Sequence, residues 1–262
     1  MRPSRFPAVV TWLVILFFYV PIAVLVATSF NASKYGSGWM GFSLKWYVKL
    51  FHDREIWEAL ANTLVIGAVA TLASMALGTC AAFALHRYAG SKLQKLHYGV
   101  IYLPLVLPEI LTGLSLLLLY VALNIELNLA TMIVTHTTFC LSYVAMTVLA
   151  RLQDFDFSII EAAQDLGAGW TTTVVKVLLP MLAPGILAGG LLAFTLSLDD
   201  FVISFFVAGP DTTTLPIKIY SMVKFGAPPR INALSSIMLL VTFAGVAISQ
   251  WLSHRSPGAG GR

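Results

Sequence analysis

Four ionisable residues interrupt long apolar stretches of the sequence, and their types indicate cation binding rather than bond chemistry. They are Glu109, His136, Asp199 and Asp200. A charge inside a lipid bilayer is costly, so each such residue needs a partner or a role. One hypothesis is a cation path lined by the carboxylates, with aromatic rings beside them for cation–π contacts. The other is an internal polar network, in which an aspartate pairs with His136 or caps a helix end.

The two hypotheses remain open for the adjacent aspartates. On a helix, Asp199 and Asp200 point about 100° apart, so both cannot face one pore equally. One of them could contact the cation while the other anchors the helix. The position of Glu109 directly after Pro108 favours the path, whereas a single histidine such as His136 is more typical of a satisfied core residue. The aromatic candidates for the path are Tyr143, Phe201, Tyr120 and Phe194.

The sequence contains no motif for catalysis, for a metal or for a nucleotide. It has no Walker A loop, so the chain is not predicted to hydrolyse ATP itself. It also has no HExxH pattern and no paired cysteine and histidine ligands. Cys80 and Cys140 both lie in apolar runs, where they are best interpreted as small core residues. We therefore expect no catalytic residue, no metal site and no cofactor.

The composition places the chain in a membrane. Of its 262 residues, 58% are hydrophobic and only 11% are charged, whereas soluble domains carry about 25% charged residues. Six segments are apolar over about 20 residues or more, the length that spans a bilayer. They are residues 8–30, 60–85, 98–122, 129–150, 182–208 and 232–252. We expect an all-α integral membrane protein with six transmembrane helices in one domain, residues 1–262.

Proline residues modify two of these segments. Pro21 predicts a kink in the first segment, whose apolar core exceeds the roughly 7–15 residues of a signal-peptide core, so we interpret it as an uncleaved span. Pro104 and Pro108 predict a bend in the third segment, which frees backbone carbonyl groups. Small residues crowd the second and fifth segments and predict close helix packing.

The basic residues predict the orientation. With six spans, the basic residues of the N-terminal segment, of the loop 86–97 and of the C-terminal segment all fall on one side, which the positive-inside rule makes cytoplasmic. They are Arg2, Arg5, Arg87, Lys92, Lys95 and Arg255. The net charge of +4 therefore gives no reason to expect nucleic acid. The opposite loop, residues 31–59, is rich in aromatic residues and predicts a helix at the outer membrane surface, with contact to a periplasmic partner as the alternative.

A polar segment at residues 158–180 separates two of the spans. It contains Glu161-Ala162-Ala163, then three residues, then Gly167, then nine residues before Val177-Leu178-Leu179-Pro180. This spacing resembles the EAA loop of ABC-importer membrane subunits. The resemblance implies a type I ABC-importer fold and a cytoplasmic helix-turn-helix that docks on a separate ATPase. It assigns that coupling role to Glu161, Ala162, Ala163, Asp165, Gly167 and Pro180, with Gly167 at the turn and Leu179-Pro180 closing the segment before the next span.

Further segments narrow the resemblance. The runs LPLVLPEILTGLSLLLLY, SLDD and LPIKIYSMVKFG look like the second permease of bacterial spermidine/putrescine importers. That family implies a sister permease in a heterodimer, two ATP-binding subunits, a periplasmic polyamine-binding protein and alternating access in the bacterial inner membrane. Pro228-Pro229-Arg230 is more basic than the resemblance predicts. The alternatives are a permease for another small solute, such as an iron chelate, thiamine or an opine, and a secondary transporter that needs no ATPase.

Overall fold

The computed structural model describes residues 6–34, 38–226 and 228–255, with the side chains of residues 8, 228 and 245–255 left undescribed. Helices dominate these ranges, which confirms the all-α prediction. The helices are α1 (Phe6–Ser29), α2 (Lys45–Phe51), α3 (Arg54–Arg87), α4 (Lys92–Val106), α5 (Glu109–Ala122), α6 (Leu129–Gln153), α7 (Ser158–Asp165), α8 (Trp170–Thr173), α9 (Leu179–Asp199), α10 (Val202–Val207), α11 (Leu215–Lys224) and α12 (Pro228–Arg255). A π-helical turn, Val174–Leu178, joins α8 to α9.

Among the residues that the structure describes, four stretches of helix are long and apolar enough to cross a membrane. They are Val9–Ser29, Arg54–Arg87, Leu129–Gln153 and Trp170–Asp199. The pair α4 and α5 is a further candidate as one broken span, and Pro229–Ala244 is apolar but shorter. The structure thus confirms a multi-span membrane protein, while the count of six spans stays a prediction.

The third predicted span, residues 98–122, is not one straight helix. The axes of α4 and α5 differ by 111° across a break at Leu107 and Pro108. Proline disfavours the helical conformation of the residue before it, and Leu107 is extended with φ −68° and ψ 137°. The bend predicted at Pro108 is therefore confirmed, although it is sharp enough to divide the span. Pro104 lies within α4 and does not end it.

The boundaries predicted for the fifth span are wrong at both ends. The helix begins at Trp170 rather than near residue 182, and Pro180 lies inside it instead of closing the segment before it. The π-helical turn explains this continuity, because a wider turn before the proline accommodates its ring and its missing N–H. At the other end the helix stops at Asp199, and Asp200 is extended with φ −62° and ψ 120° before α10 begins.

The chain falls into two compact units, residues 1–56 with 219–262, and residues 57–218. In the second unit, α6 carries twelve buried residues and packs against α9 and α4. Glycines on α3 and α9 allow these helices to approach α6 closely, as predicted. A Cβ atom at Gly78 would lie 2.9 Å from the Cβ of Val144, and one at Gly189 would lie 3.2 Å from its Cα. The helices could not pack this closely with larger residues at these positions.

The first unit contains α1, α2 and α12. The indole Nε1 of Trp46 on α2 donates a hydrogen bond of 2.9 Å to the carbonyl oxygen of Asn31. The amide of Asn232 on α12 donates a hydrogen bond of 3.0 Å to the hydroxyl of Thr28 near the end of α1. These contacts place α2 beside the C-terminal end of α1. The short helix predicted within residues 31–59 is therefore present.

Candidate functional site

The turn of the 158–180 segment depends on Gly167. The backbone N–H of Gly167 donates to the carbonyl of Gln164 at 2.8 Å, and that of Ala168 donates to Ala163 at 3.1 Å. This pair of bonds is the Schellman pattern, which ends a helix with one residue in the left-handed conformation. Gly167 has φ +85°, which glycine adopts without the steric cost that a side chain brings. The turn predicted at this residue is present.

The other residues of this segment that were predicted to couple to an ATPase lie at the surface. Glu161, Ala162 and Asp165 are exposed, and Ala163 is half-buried. Two apolar side chains beside the turn are exposed as well, Leu166 by 90% and Trp170 by 59%. Sequence reasoning missed both, although large apolar residues flanking a glycine turn in a polar segment were the available signal.

The opposite face of α7 is fixed to the core of its unit. Ile160 is buried in the main hydrophobic cluster with Leu152 and Leu178. The ring of His86, at the end of α3, stacks on Phe157 with centroids 4.7 Å apart and planes 8° apart. Phe155 meets the same ring edge-on at 4.9 Å. Helix α7 is therefore attached to α3 and α6 while its outer face stays open.

The start of α7 carries a fixed negative charge. The backbone N–H of Ser158 donates to Asp156 Oδ1 at 3.0 Å. Hydrogen bonds from the side chain and the backbone of Ser158 lower the pKa of Asp156. The carboxylate therefore stays ionised near the N-terminus of the helix, where negative charge is favourable.

Asp200 belongs to a buried network. Its carboxylate accepts hydrogen bonds from the backbone N–H groups of Ile203, at 3.1 Å, and Ser204, at 2.8 Å. The Ser204 hydroxyl donates to it at 2.7 Å. His136 Nε2 lies 3.0 Å from that hydroxyl oxygen, and His136 Nδ1 lies 2.8 Å from the hydroxyl oxygen of Ser197. Asp200 therefore caps the start of α10. Through Ser204 it is connected to His136 of α6, which in turn contacts Ser197 of α9.

The hydrogen bonds assign one tautomer to a neutral His136 ring. Ser204 has one hydroxyl proton, which it gives to Asp200, so its oxygen must accept from His136 Nε2. A neutral ring then has no proton on Nδ1, which accepts from Ser197. His136 is thus a satisfied core residue, as the sequence favoured, and Asp200 follows the network hypothesis.

Asp199 lies in a different environment. Its side chain is exposed at the last position of α9, directly before the helix break. Phe201 follows the break, is half-buried and lies 5.5 Å from the ring of Phe205. The break therefore separates the two adjacent aspartates, since one points into a polar network and the other away from it.

The remaining path candidates lie in different environments. Glu109 is exposed at the first position of α5, and Tyr143 of α6 is half-buried. Tyr120, by contrast, is buried with its hydroxyl 2.8 Å from that of Thr135. Phe194 packs close to Gly67. Tyr120 and Phe194 thus take part in helix packing.

Comparison with known proteins supports this architecture. Residues 74–256 match the family described as binding-protein-dependent transport system inner membrane component. The chain is 39% identical over 246 residues to the spermidine/putrescine transport system permease protein PotC of Shigella flexneri, covering 94% of this chain and 93% of that protein. It is 44% identical over 229 residues to the putrescine transport system permease protein PotI of Escherichia coli strain K12, covering 85% and 82%.

Solved structures share the fold at low sequence identity. A crystal structure of a bacterial ABC transporter involved in the import of the polysaccharide alginate aligns with a TM-score of 0.74 at 14% identity, covering 95% of this chain and 97% of that one. An inward-facing structure of the MetNI methionine ABC transporter aligns with a TM-score of 0.60 at 21% identity, covering 78% and 96%. The chain therefore has the fold of ABC-importer membrane subunits.

Proposed function

Because the chain belongs to the family of binding-protein-dependent transport system inner membrane components, we propose that it is the permease subunit of an ATP-driven importer of polyamines. It is a transporter subunit rather than an enzyme. In this proposal residues 1–262 form one transmembrane domain in the bacterial inner membrane, with both termini in the cytoplasm. Arg2 and Arg5, on which the orientation partly depends, lie outside the described residues.

The choice of substrate rests on the sequence similarity to named polyamine permeases. Relatives that are similar along nearly the whole chain are named for putrescine and spermidine, at 39% and 44% identity. The solved structures with the same fold include transporters of alginate and methionine. Since the fold serves several substrates, the full-length similarity in sequence is what favours polyamines.

The geometry of the proposed path suits a polyamine. Such a molecule has two or more positive charges joined by an apolar chain. Asp199 presents an exposed carboxylate at a helix break, and Glu109 presents another at the start of α5. Phe201 offers an aromatic face beside the break. Sparse carboxylates among aromatic rings bind cations better than they bind a sugar or a phosphate. Asp200 would stabilise the helix break next to the path, because its carboxylate accepts hydrogen bonds from the N–H groups of Ile203 and Ser204.

We further propose that the 158–180 segment docks on an ATP-binding subunit. Glu161, Ala162, Ala163 and Asp165 would form the outer face of the docked helix, and Gly167 would set the turn. The exposed Leu166 and Trp170 would enter an apolar groove of the partner. The stack of His86 on Phe157 would pass the movement to α3. Pro180, which is exposed within the continuing helix, would also belong to the docking segment.

The remaining partners follow from the same proposal. A sister permease would complete a heterodimer, two ATP-binding subunits would bind at the cytoplasmic face, and a periplasmic polyamine-binding protein would deliver the substrate. Closure of the ATPase pair would open the path outward, and hydrolysis would return it inward.

The proposal is tested by uptake of labelled putrescine and spermidine in cells that lack other polyamine importers. Cells with the complete transporter should accumulate label, and cells without this chain should not. Excess unlabelled polyamine should compete, whereas thiamine, an iron chelate or an opine should not. Uptake that resists vanadate but collapses with the proton gradient would identify a secondary transporter and overturn the proposal.

A further inference from the structure

A cavity of about 700 Å³ lies within the unit formed by residues 1–56 and 219–262. Five cationic side chains line it: Lys34, Lys45, Lys49, Arg54 and Arg230. Two carboxylates, Asp53 and Glu55, lie at its wall. Arg230 already holds Asp53 in an ion pair of 3.0 Å. Positive charges therefore outnumber negative ones among the described lining residues, which disfavours a polyamine as the ligand and favours an anion.

Aromatic and backbone contacts hold the lysines of α2 at this cavity. The Nζ atoms of Lys45 and Lys49 lie 4.8 Å and 5.1 Å from the ring centroid of Trp46. The Lys45 ammonium also donates a hydrogen bond to the carbonyl oxygen of Ala32. Trp46 itself is buried and bonded to Asn31. The positive charges are thus positioned by a fixed tryptophan rather than by flexible chains alone.

The height of the cavity corresponds to the lipid headgroups. The hydrogen bond between Asn232 and Thr28 aligns α12 with the end of the apolar helix α1. Arg230 lies two residues before Asn232, which is about 3 Å along a helix axis. The headgroup layer adds about 5–8 Å to each side of the hydrocarbon. With α1 crossing the hydrocarbon, Arg230 and the cavity that it lines would therefore lie within this layer.

Apolar side chains accompany the positive charges. Leu44, Val48 and Phe51, on and beside α2, are each more than half exposed. A short helix with lysines on one side and exposed apolar residues on another is typical of a membrane surface. A phospholipid satisfies both features, because its phosphodiester can meet the lysines while its acyl chains cover the apolar residues.

We propose that this cavity binds the phosphodiester headgroup of an anionic phospholipid, with Lys49 and Arg230 as phosphate contacts. The site shares no residue with the proposed path or with the 158–180 segment. It needs neither the polyamine assignment nor the ATPase, so failure of one proposal leaves the other standing.

Native mass spectrometry of the full chain in its assembled transporter tests the site. The probes are phosphatidylglycerol and phosphatidylcholine with identical acyl chains. The wild-type protein should bind its first phosphatidylglycerol at least tenfold more tightly than phosphatidylcholine. Lys49→Gln should weaken that step about fivefold, the effect of one basic residue near an anionic surface. Lys49→Arg, which keeps the charge, should not weaken it, and neither should Lys95→Gln, which changes an exposed lysine outside the cavity.

Two further measurements decide the nature of the ligand. If millimolar inorganic phosphate displaces phosphatidylglycerol from the wild-type protein, the site takes free anions and the lipid proposal is wrong. If Lys49→Gln leaves lipid binding unchanged but weakens binding of the periplasmic protein, the surface is a protein contact and the proposal is again overturned. Equal binding of the two lipids by the wild-type protein would also end it.

Discussion

The imidazole of His86 lies parallel to the ring of Phe157, with 4.7 Å between their centroids. His86 is in the last turn of α3, and Phe157 immediately precedes α7. The stack therefore connects a membrane-spanning helix directly to the segment that we propose binds the ATPase. A rigid contact of this kind is one way in which movement at a docked helix can reach the spans.

Removal of this stack should uncouple the transporter. His86→Ala deletes the ring that contacts Phe157, so we expect polyamine uptake to fall several-fold while ATP hydrolysis continues. His86→Phe keeps a stacking ring and should retain most of the uptake. The ratio of polyamine transported to ATP hydrolysed, in the purified complex, measures the effect. Equal ratios for the alanine and phenylalanine variants would show that the stack plays no part in coupling.

Gly167 should tolerate only residues that accept its backbone conformation. A side chain in the left-handed region costs roughly 1–2 kcal/mol, and a β-branched residue is least tolerated. We expect Gly167→Val to abolish most uptake at normal membrane abundance, and Gly167→Asn to retain it. Gly169→Ala is the matched control, because Gly169 has φ −69° and open space around it. Wild-type uptake by Gly167→Val would refute a role for this turn.

Substitution of Asp199 should change transport, whereas substitution of Asp200 should change stability. Asp199 is exposed, so Asp199→Asn should raise the KM for polyamine several-fold without changing thermal stability. The reason is the loss of one carboxylate from the proposed path. Uptake kinetics in cells with matched expression provide the measurement. An unchanged KM would remove Asp199 from the path.

Substitution of Asp200 should act on stability instead. Its carboxylate accepts two backbone N–H bonds and the Ser204 hydroxyl bond. Asp200→Ala leaves these buried donors unsatisfied, and each such group costs about 1–3 kcal/mol. We expect a clear fall in the thermal unfolding temperature, with a smaller fall for Asp200→Asn, which keeps one acceptor oxygen. Stability equal to wild type in the alanine variant would contradict the network.

The close approach of α3 to α6 at Gly78 offers a test of the packing. A methyl group at Gly78 would lie 2.9 Å from Val144 Cβ and 3.1 Å from the backbone N of Ala145, so the helices would have to move apart. Gly78→Ala should therefore lower stability and membrane abundance. Gly99→Ala is the control, because nothing lies within 4 Å of the added atom. Similar behaviour of both variants in a detergent unfolding assay would contradict the packing.

Features that depend on neighbouring residues were predictable from the sequence. The bend at Pro108 follows from the steric effect of proline on Leu107, and the turn at Gly167 follows from the freedom of glycine. The apolar spans follow from their composition. The helix boundary predicted at Pro180 is wrong, because a π-helical turn allows the helix to continue through this proline.

Features that depend on tertiary contacts were not predictable. Two adjacent aspartates have the same local sequence context, and only the helix break after Asp199 decides which one meets His136. The stack of His86 on Phe157 joins residues far apart in the chain. The exposure of Leu166 and Trp170 likewise depends on which face of the turn the core covers.

Reconstitution tests most directly whether this chain transports polyamine at the expense of ATP hydrolysed by separate subunits. The chain would be purified with its sister permease and ATP-binding subunits, placed in liposomes, and supplied with the periplasmic binding protein and labelled putrescine. The measurement is label accumulated inside with ATP available to the ATP-binding subunits. We predict accumulation against the gradient that requires ATP, the binding protein and an intact Gly167 turn. Equal accumulation without the ATP-binding subunits, or none with every component present, would contradict the account.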